Sequence, residues 1–169
     1  LQEVENSEQF AASARSFGDF FKLLEDYPAD ELHETIPNFH DTRDRYRLFL
    51  EAIEANPLDR VKDVQDEIAW VHARKDDCKV LMDALDDGTL PLRVTHNDTK
   101  LNNVLFDKAT DRGICVIDLD TVMPGLIVND FGDAIRFGAN DNAEDESDMS
   151  KVNFRLDLYE IYLQAYLEA

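Results

Sequence analysis

The sequence predicts an α+β fold that is mostly helical, with one small β-hairpin. Three observations carry that expectation. Residues 1 to 90 set apolar side chains at helical spacing, residues from about 91 to 118 change to short β-type runs, and helical spacing returns after Pro124-Gly125. The 169 residues, 44% of them hydrophobic, suit a single domain with its own core.

Asn6 and Ser7 are N-cap types ahead of Phe10, Ala14, Phe17, Phe21 and Leu24, which share one helical face. Two prolines interrupt in "YPADELHETIPNFHD". Asp41 or Thr42 then caps a second helix with Tyr46, Phe49, Leu50 and Ile53 inward, and Pro57 ends it. A third helix is expected over Val61–Arg74. A fourth spans Asp77–Leu85 and stops at Gly88. "PLRVT", "NVLFD" and "GICVIDLD" read as strands, with "DKATDRG" as the turn joining the last two. A helix over Asp130–Phe137, the acidic loop "GANDNAEDESDMS", and a final helix capped by Ser150 complete the chain. That last helix is expected to bear Val152, Leu156, Tyr159, Leu163 and Tyr166. The acidic loop reads as a solvated segment rather than a calcium site.

Charge narrows the function classes. Seventeen Lys and Arg stand against thirty-seven Asp and Glu, a net charge of −20. Nucleic acids and anionic membrane surfaces need clustered cations, so neither is an expected partner. No apolar run approaches the roughly 18 residues of a membrane helix. Cys78 and Cys115 have no metal-type spacing and read as reduced packing residues of a cytoplasmic protein.

The chemistry concentrates in "VTHNDTKLNNVLFD", Val94 to Asp107. His96-x-Asp98 is followed by Asn103, which opens one arm of the expected hairpin, and the other arm ends in Asp118. A hairpin brings its ends together, so Asn103 and Asp118 should lie side by side near Asp98. An amide oxygen beside a carboxylate is hard oxygen ligation suited to Mg²⁺. A further carboxylate held nearby is what a substrate hydroxyl needs as proton acceptor. That is the layout of a phosphotransfer site.

With its H-x-D-x-x-x-x-N loop and downstream Asp, the sequence resembles the aminoglycoside phosphotransferase and choline kinase superfamily. Within it, "THNDTKLNNVLF", "VIDLDTVMPGL" and "DFGDAIRFGAN" are similar to the bacterial N-acetylhexosamine 1-kinases, over roughly residues 91 to 140. The resemblance implies the C-terminal lobe of a protein-kinase-like fold. It also implies ATP as phosphate donor, Mg²⁺, and a small-molecule acceptor, an N-acetylhexosamine in the closer group. Asp98 then matches the catalytic Asp, Asn103 and Asp118 match the magnesium ligands, and Lys100 resembles the lysine that contacts the γ-phosphate. Asp120 is either a further metal carboxylate or points away. His96 and Asp130 are expected to support the loop, and Asn102 is a turn residue. The "DFG" string at Asp130 is coincidental, since Asp118 has the metal-site spacing. His40, Asp41, Asn129 and Arg136 are polar candidates for the acceptor's hydroxyls, although each also suits an ordinary cap or surface position.

Several alternatives compete for these residues. Other acceptors, such as choline, an aminoglycoside or a neutral sugar, fit the same layout. "ICVIDLDTV" also fits the D-x-D-x-V motif of haloacid-dehalogenase-type phosphatases, with Asp118 as nucleophile and Asp120 as acid/base. A glycosyltransferase D-x-D site has less support. Residues 1 to 90 contain only Gly18 and Gly88 and no strand carrying a phosphate-pairing Lys. The expectation is therefore a C-lobe whose nucleotide lobe lies on other sequence, the first residue being Leu rather than Met. A shortened, inactive binding module is the alternative.

Overall fold

The computed structural model describes residues 6–142 and 146–169. The chain divides into two compact units, one of Leu1–Thr35 with Arg93–Ala169 and the other of Ile36–Leu92. The architecture is α+β and mostly helical, as expected. Among the described residues no helix is long and apolar enough to cross a membrane.

The first unit is organised by α1, Ser7–Leu23. Asn6 caps it by accepting the Gln9 N–H at 2.9 Å. The two halves of the helix bury into different neighbours. Phe10, Ala11 and Ala14 pack with Ala134 of α5 (Ile127–Gly138) and with Leu158, Tyr162 and Ala165 of α6 (Leu156–Glu168). Phe17 and Phe21 pack with Val104 and, at the edge of that cluster, Val116. The close approach of α5 to α1 depends on Gly138, where a Cβ would lie 2.2 Å from the Phe10 ring.

Two small antiparallel sheets complete this unit. β2 (Val104–Phe106) pairs with β3 (Gly113–Val116), with Val104 opposite Val116. Their turn is held by Asp107, whose Oδ1 accepts the N–H groups of Ala109 and Thr110, each at 3.0 Å. β1 (Arg93–Thr95) pairs instead with β4 (Met123–Gly125), a strand that local pattern did not announce. No parallel pairing occurs among the described strands. The arm leading to Asp118 is thus antiparallel, which is the wrong setting for the phosphatase motif and its Rossmann-like sheet.

The second unit holds α2 (Thr42–Ala55), α3 (Gln65–His72) and α4 (Val80–Asp86). Asp41 caps α2 through the N–H groups of Arg43 and Asp44, at 2.9 and 3.0 Å. The helix ends at Asn56 in the left-handed region (φ 35°), just ahead of Pro57. No residue of this unit is buried, and Leu50, expected inward, is exposed. The expected third helix is broken at Val64 into a 3₁₀ turn over Val61–Asp63 and α3 proper.

Other expectations are corrected. α6 starts at Leu156, and Ser150 lies in a turn, its N–H and hydroxyl both donated to Asp148 Oδ1. The buried face of α6 is accordingly Leu158, Tyr162 and Ala165, not the face of Leu156 and Leu163. α5 begins three residues earlier than expected, at Ile127. Both cysteines are free, but Cys115 is exposed and packs into no core. The acidic loop falls partly outside the described residues.

Candidate active site

The loop after β1 is built around one buried carboxylate. Asp130 sits in the first turn of α5, where the helix N-terminus favours negative charge. Its two oxygens accept the main-chain N–H of His96 at 2.7 Å and of Asn97 at 2.8 Å. Its own carbonyl accepts the Thr99 hydroxyl. Burial pushes the Asp130 carboxyl up to about 7, against the two N–H donors that pull it down. With its carboxylate committed to two amides, Asp130 is a brace for the loop, and the "DFG" string lies inside α5.

His96 is fully buried, its ring edge-on to Phe17 and Phe20 at centroid distances of 5.4 and 5.8 Å. Nε2 bonds the Ile117 carbonyl at 2.9 Å, and because a carbonyl only accepts, Nε2 carries the proton. Ile117 in turn donates its N–H to the Asn103 carbonyl, also at 2.9 Å. The ring therefore joins the loop to the end of the hairpin, and α1 fixes the ring.

Asn103 is buried, and its amide N–H₂ donates to the Asp98 carbonyl at 2.8 Å and to Asp98 Oδ2 at 2.9 Å. The other carboxylate oxygen, Oδ1, lies 3.1 Å from Lys100 Nζ. Asp98, Lys100 and Asn103 thus form one contact group. Asp118 follows β3 with left-handed backbone (φ 62°, ψ 61°), a region uncommon for a residue other than Gly. It is exposed and makes no hydrogen bond or ion pair with the described residues. Asp120 lies one step further, in the 3₁₀ turn Leu119–Thr121, and is also exposed.

A magnesium ion fits this donor set. The nitrogen of the Asn103 amide is spent on Asp98, leaving its oxygen as the ligand atom, and the Asp118 carboxylate is uncommitted. Mg²⁺ characteristically takes one or two protein carboxylates plus water and phosphate oxygens. Among the described residues no three His, Cys, Asp or Glu side chains form a metal cluster.

The remaining candidates are spread more widely. Asn129 and Arg136 lie on α5, where Arg136 pairs with Asp133 at 2.9 Å. His40 and Asp41 belong to the second unit, with the His40 ring against Phe39 and Asp41 serving as the α2 cap. Asn97 and Thr121 were not singled out from sequence, yet both bond the loop to the segment after Asp118. The only signal for Asn97 was its type, since Asn tolerates left-handed backbone (here φ 66°).

The family model for phosphotransferase enzymes, APH, matches residues 3–167. The chain belongs to the phosphotransferase enzyme family. Membership of this family makes kinase-like phosphotransfer its chemistry and small molecules its substrates, and agrees with the mostly helical, kinase-like lobe described above.

Proposed function

We propose that the chain is the catalytic lobe of a small-molecule kinase that moves the γ-phosphate of ATP to a hydroxyl, the anomeric hydroxyl of an N-acetylhexosamine. The observation that carries this reading is the contact group of Asp98, Lys100 and Asn103, set beside the hairpin end that bears Asp118. Asp98 orients the acceptor hydroxyl and takes its proton through one carboxylate oxygen while Asn103 holds the other. Lys100 sets a positive charge next to Asp98, where it offsets charge on the phosphoryl group in transfer. Asn103 and Asp118 are the residues that would hold Mg²⁺, which when bound neutralises phosphate charge and aligns the transfer.

The acceptor assignment rests on the three motifs similar to N-acetylhexosamine 1-kinases. Asn129 and Arg136 of the first unit are polar residues proposed to meet the sugar, and His40 and Asp41 are separate candidates in the second. A Gly-rich phosphate loop and its Lys are missing from residues 1 to 90, so the nucleotide lobe is proposed to lie on other sequence. The test is ADP release with MgATP against N-acetylhexosamines, neutral sugars, choline and an aminoglycoside, using this chain and the full gene product. Turnover by the full product on N-acetylhexosamines, absent from the 169-residue chain, is the expected result. Turnover on choline alone would overturn the sugar assignment, and equal turnover by the short chain would overturn the missing lobe.

A further inference from the structure

Asp98 and Asp118 stand on separate segments, and phosphotransfer needs them in fixed relation. The His96–Ile117 bond anchors the end of the hairpin arm, but Asp118 and the turn after it lie beyond that anchor. A second connection lies on the far side of the turn. The Thr121 hydroxyl donates to the His96 carbonyl at 2.7 Å, and the Thr121 carbonyl accepts the Asn97 side-chain N–H at 2.9 Å. One residue, three positions after Asp118, is thus bonded as both donor and acceptor to the two residues that precede Asp98.

We propose that His96, Asn97 and Thr121 form a two-bond clasp that sets the turn of Asp118 against the loop of Asp98. On the kinase reading above, Thr121 is then a positioning residue for phosphotransfer. The residue types support the clasp. Position 97 has φ 66°, a conformation open chiefly to Gly, Asn and Asp. Of these three, Gly has no side chain to donate and a carboxylate would face the Thr121 carbonyl with like partial charge. Only Asn meets both the backbone and the donor requirement.

Two neighbouring features point the same way. Thr95 donates its hydroxyl to the Met123 carbonyl at 2.9 Å, which extends the clasp along β1 and β4. Gly125 on β4 leaves the space for it, since a Cβ there would stand 2.3 Å from Thr95 Oγ1 and 3.2 Å from Asn97 Oδ1.

The experiment compares wild type, Thr121→Val, Asn97→Gly and Asn97→Asp in the full gene product, by amide hydrogen exchange and by steady-state kinetics. Asn97→Gly keeps the left-handed backbone and removes, of the two bonds, only that to the Thr121 carbonyl, while Thr121→Val removes only that to the His96 carbonyl. Exchange in residues 117–122 should speed up about tenfold or more in Thr121→Val and Asn97→Asp, while α1 and α6 keep wild-type protection. On the active enzyme, kcat should fall about 10- to 100-fold with the nucleotide KM within about threefold of wild type, and Asn97→Asp should be worse than Asn97→Gly. The paired variant Thr121→Val/Asn97→Gly should lose less than the product of its single losses. Unchanged exchange in this segment overturns the clasp. Accelerated exchange with unchanged kcat overturns the positioning role. A wild type that transfers phosphate to nothing retires the kinase reading and that role together, while the exchange comparison still decides the clasp.

Discussion

Asp130 shows how one side chain can organise a loop that it never enters. Removing its carboxylate would strand two buried N–H groups, and Asp130→Ala should cost roughly 3 kcal/mol in urea unfolding. Its titration gives a pH signature of known sign. The folded carboxyl holds its proton up to about 7, whereas the unfolded one releases it near 4. The folded chain therefore binds a proton that the unfolded chain has lost. This contribution is whole below about pH 4 and disappears as pH rises through about 7. Asp130→Asn should flatten the loss of stability across that window, and should also be less stable at its lower end, because an amide cannot accept from both N–H groups. Urea unfolding of both proteins at several pH values checks this, and parallel pH slopes would refute it.

Elements built on neighbouring residues could be read from the sequence, and elements built on distant ones could not. Asn6 and Asp41 cap their helices because capping needs only the next three residues, and the Asp107 turn closes the hairpin for the same reason. Asn6→Ala should cost about 1 kcal/mol by thermal or urea unfolding. Ser150 had the right chemistry for a cap, but the residues after it do not turn into helix until Leu156. Ser150→Ala should accordingly stay within about 0.5 kcal/mol of wild type. The β1–β4 pairing joins residues about thirty apart in the chain and left no local mark, so Met123–Gly125 read only as a break. Close packing is equally invisible. Gly138 read only as the start of the acidic loop, yet its missing Cβ makes room for Phe10, and Gly138→Ala should cost about 1–3 kcal/mol through overpacking.

For the whole molecule, the spacing of Asp98, Asn103 and Asp118 was sufficient to suggest a phosphotransfer layout. The braces of that layout come from α1, α5 and the segment after Asp118, which spacing does not report. The second unit was harder to read, because its helices carry apolar stripes that end half-covered or exposed. A net charge of −20 on 169 residues implies self-repulsion in the folded chain, so thermal stability should rise as added salt shortens the Debye length from about 30 Å to below 10 Å. The central claim, however, is about Asp98. The most direct measurement is transfer of labelled γ-phosphate from ATP to an N-acetylhexosamine by the full gene product, with Asp98→Asn in parallel. The account predicts a labelled sugar phosphate from the wild type and a rate lower by about 10²- to 10⁴-fold from the variant. Labelled product at equal rates from both proteins would contradict it.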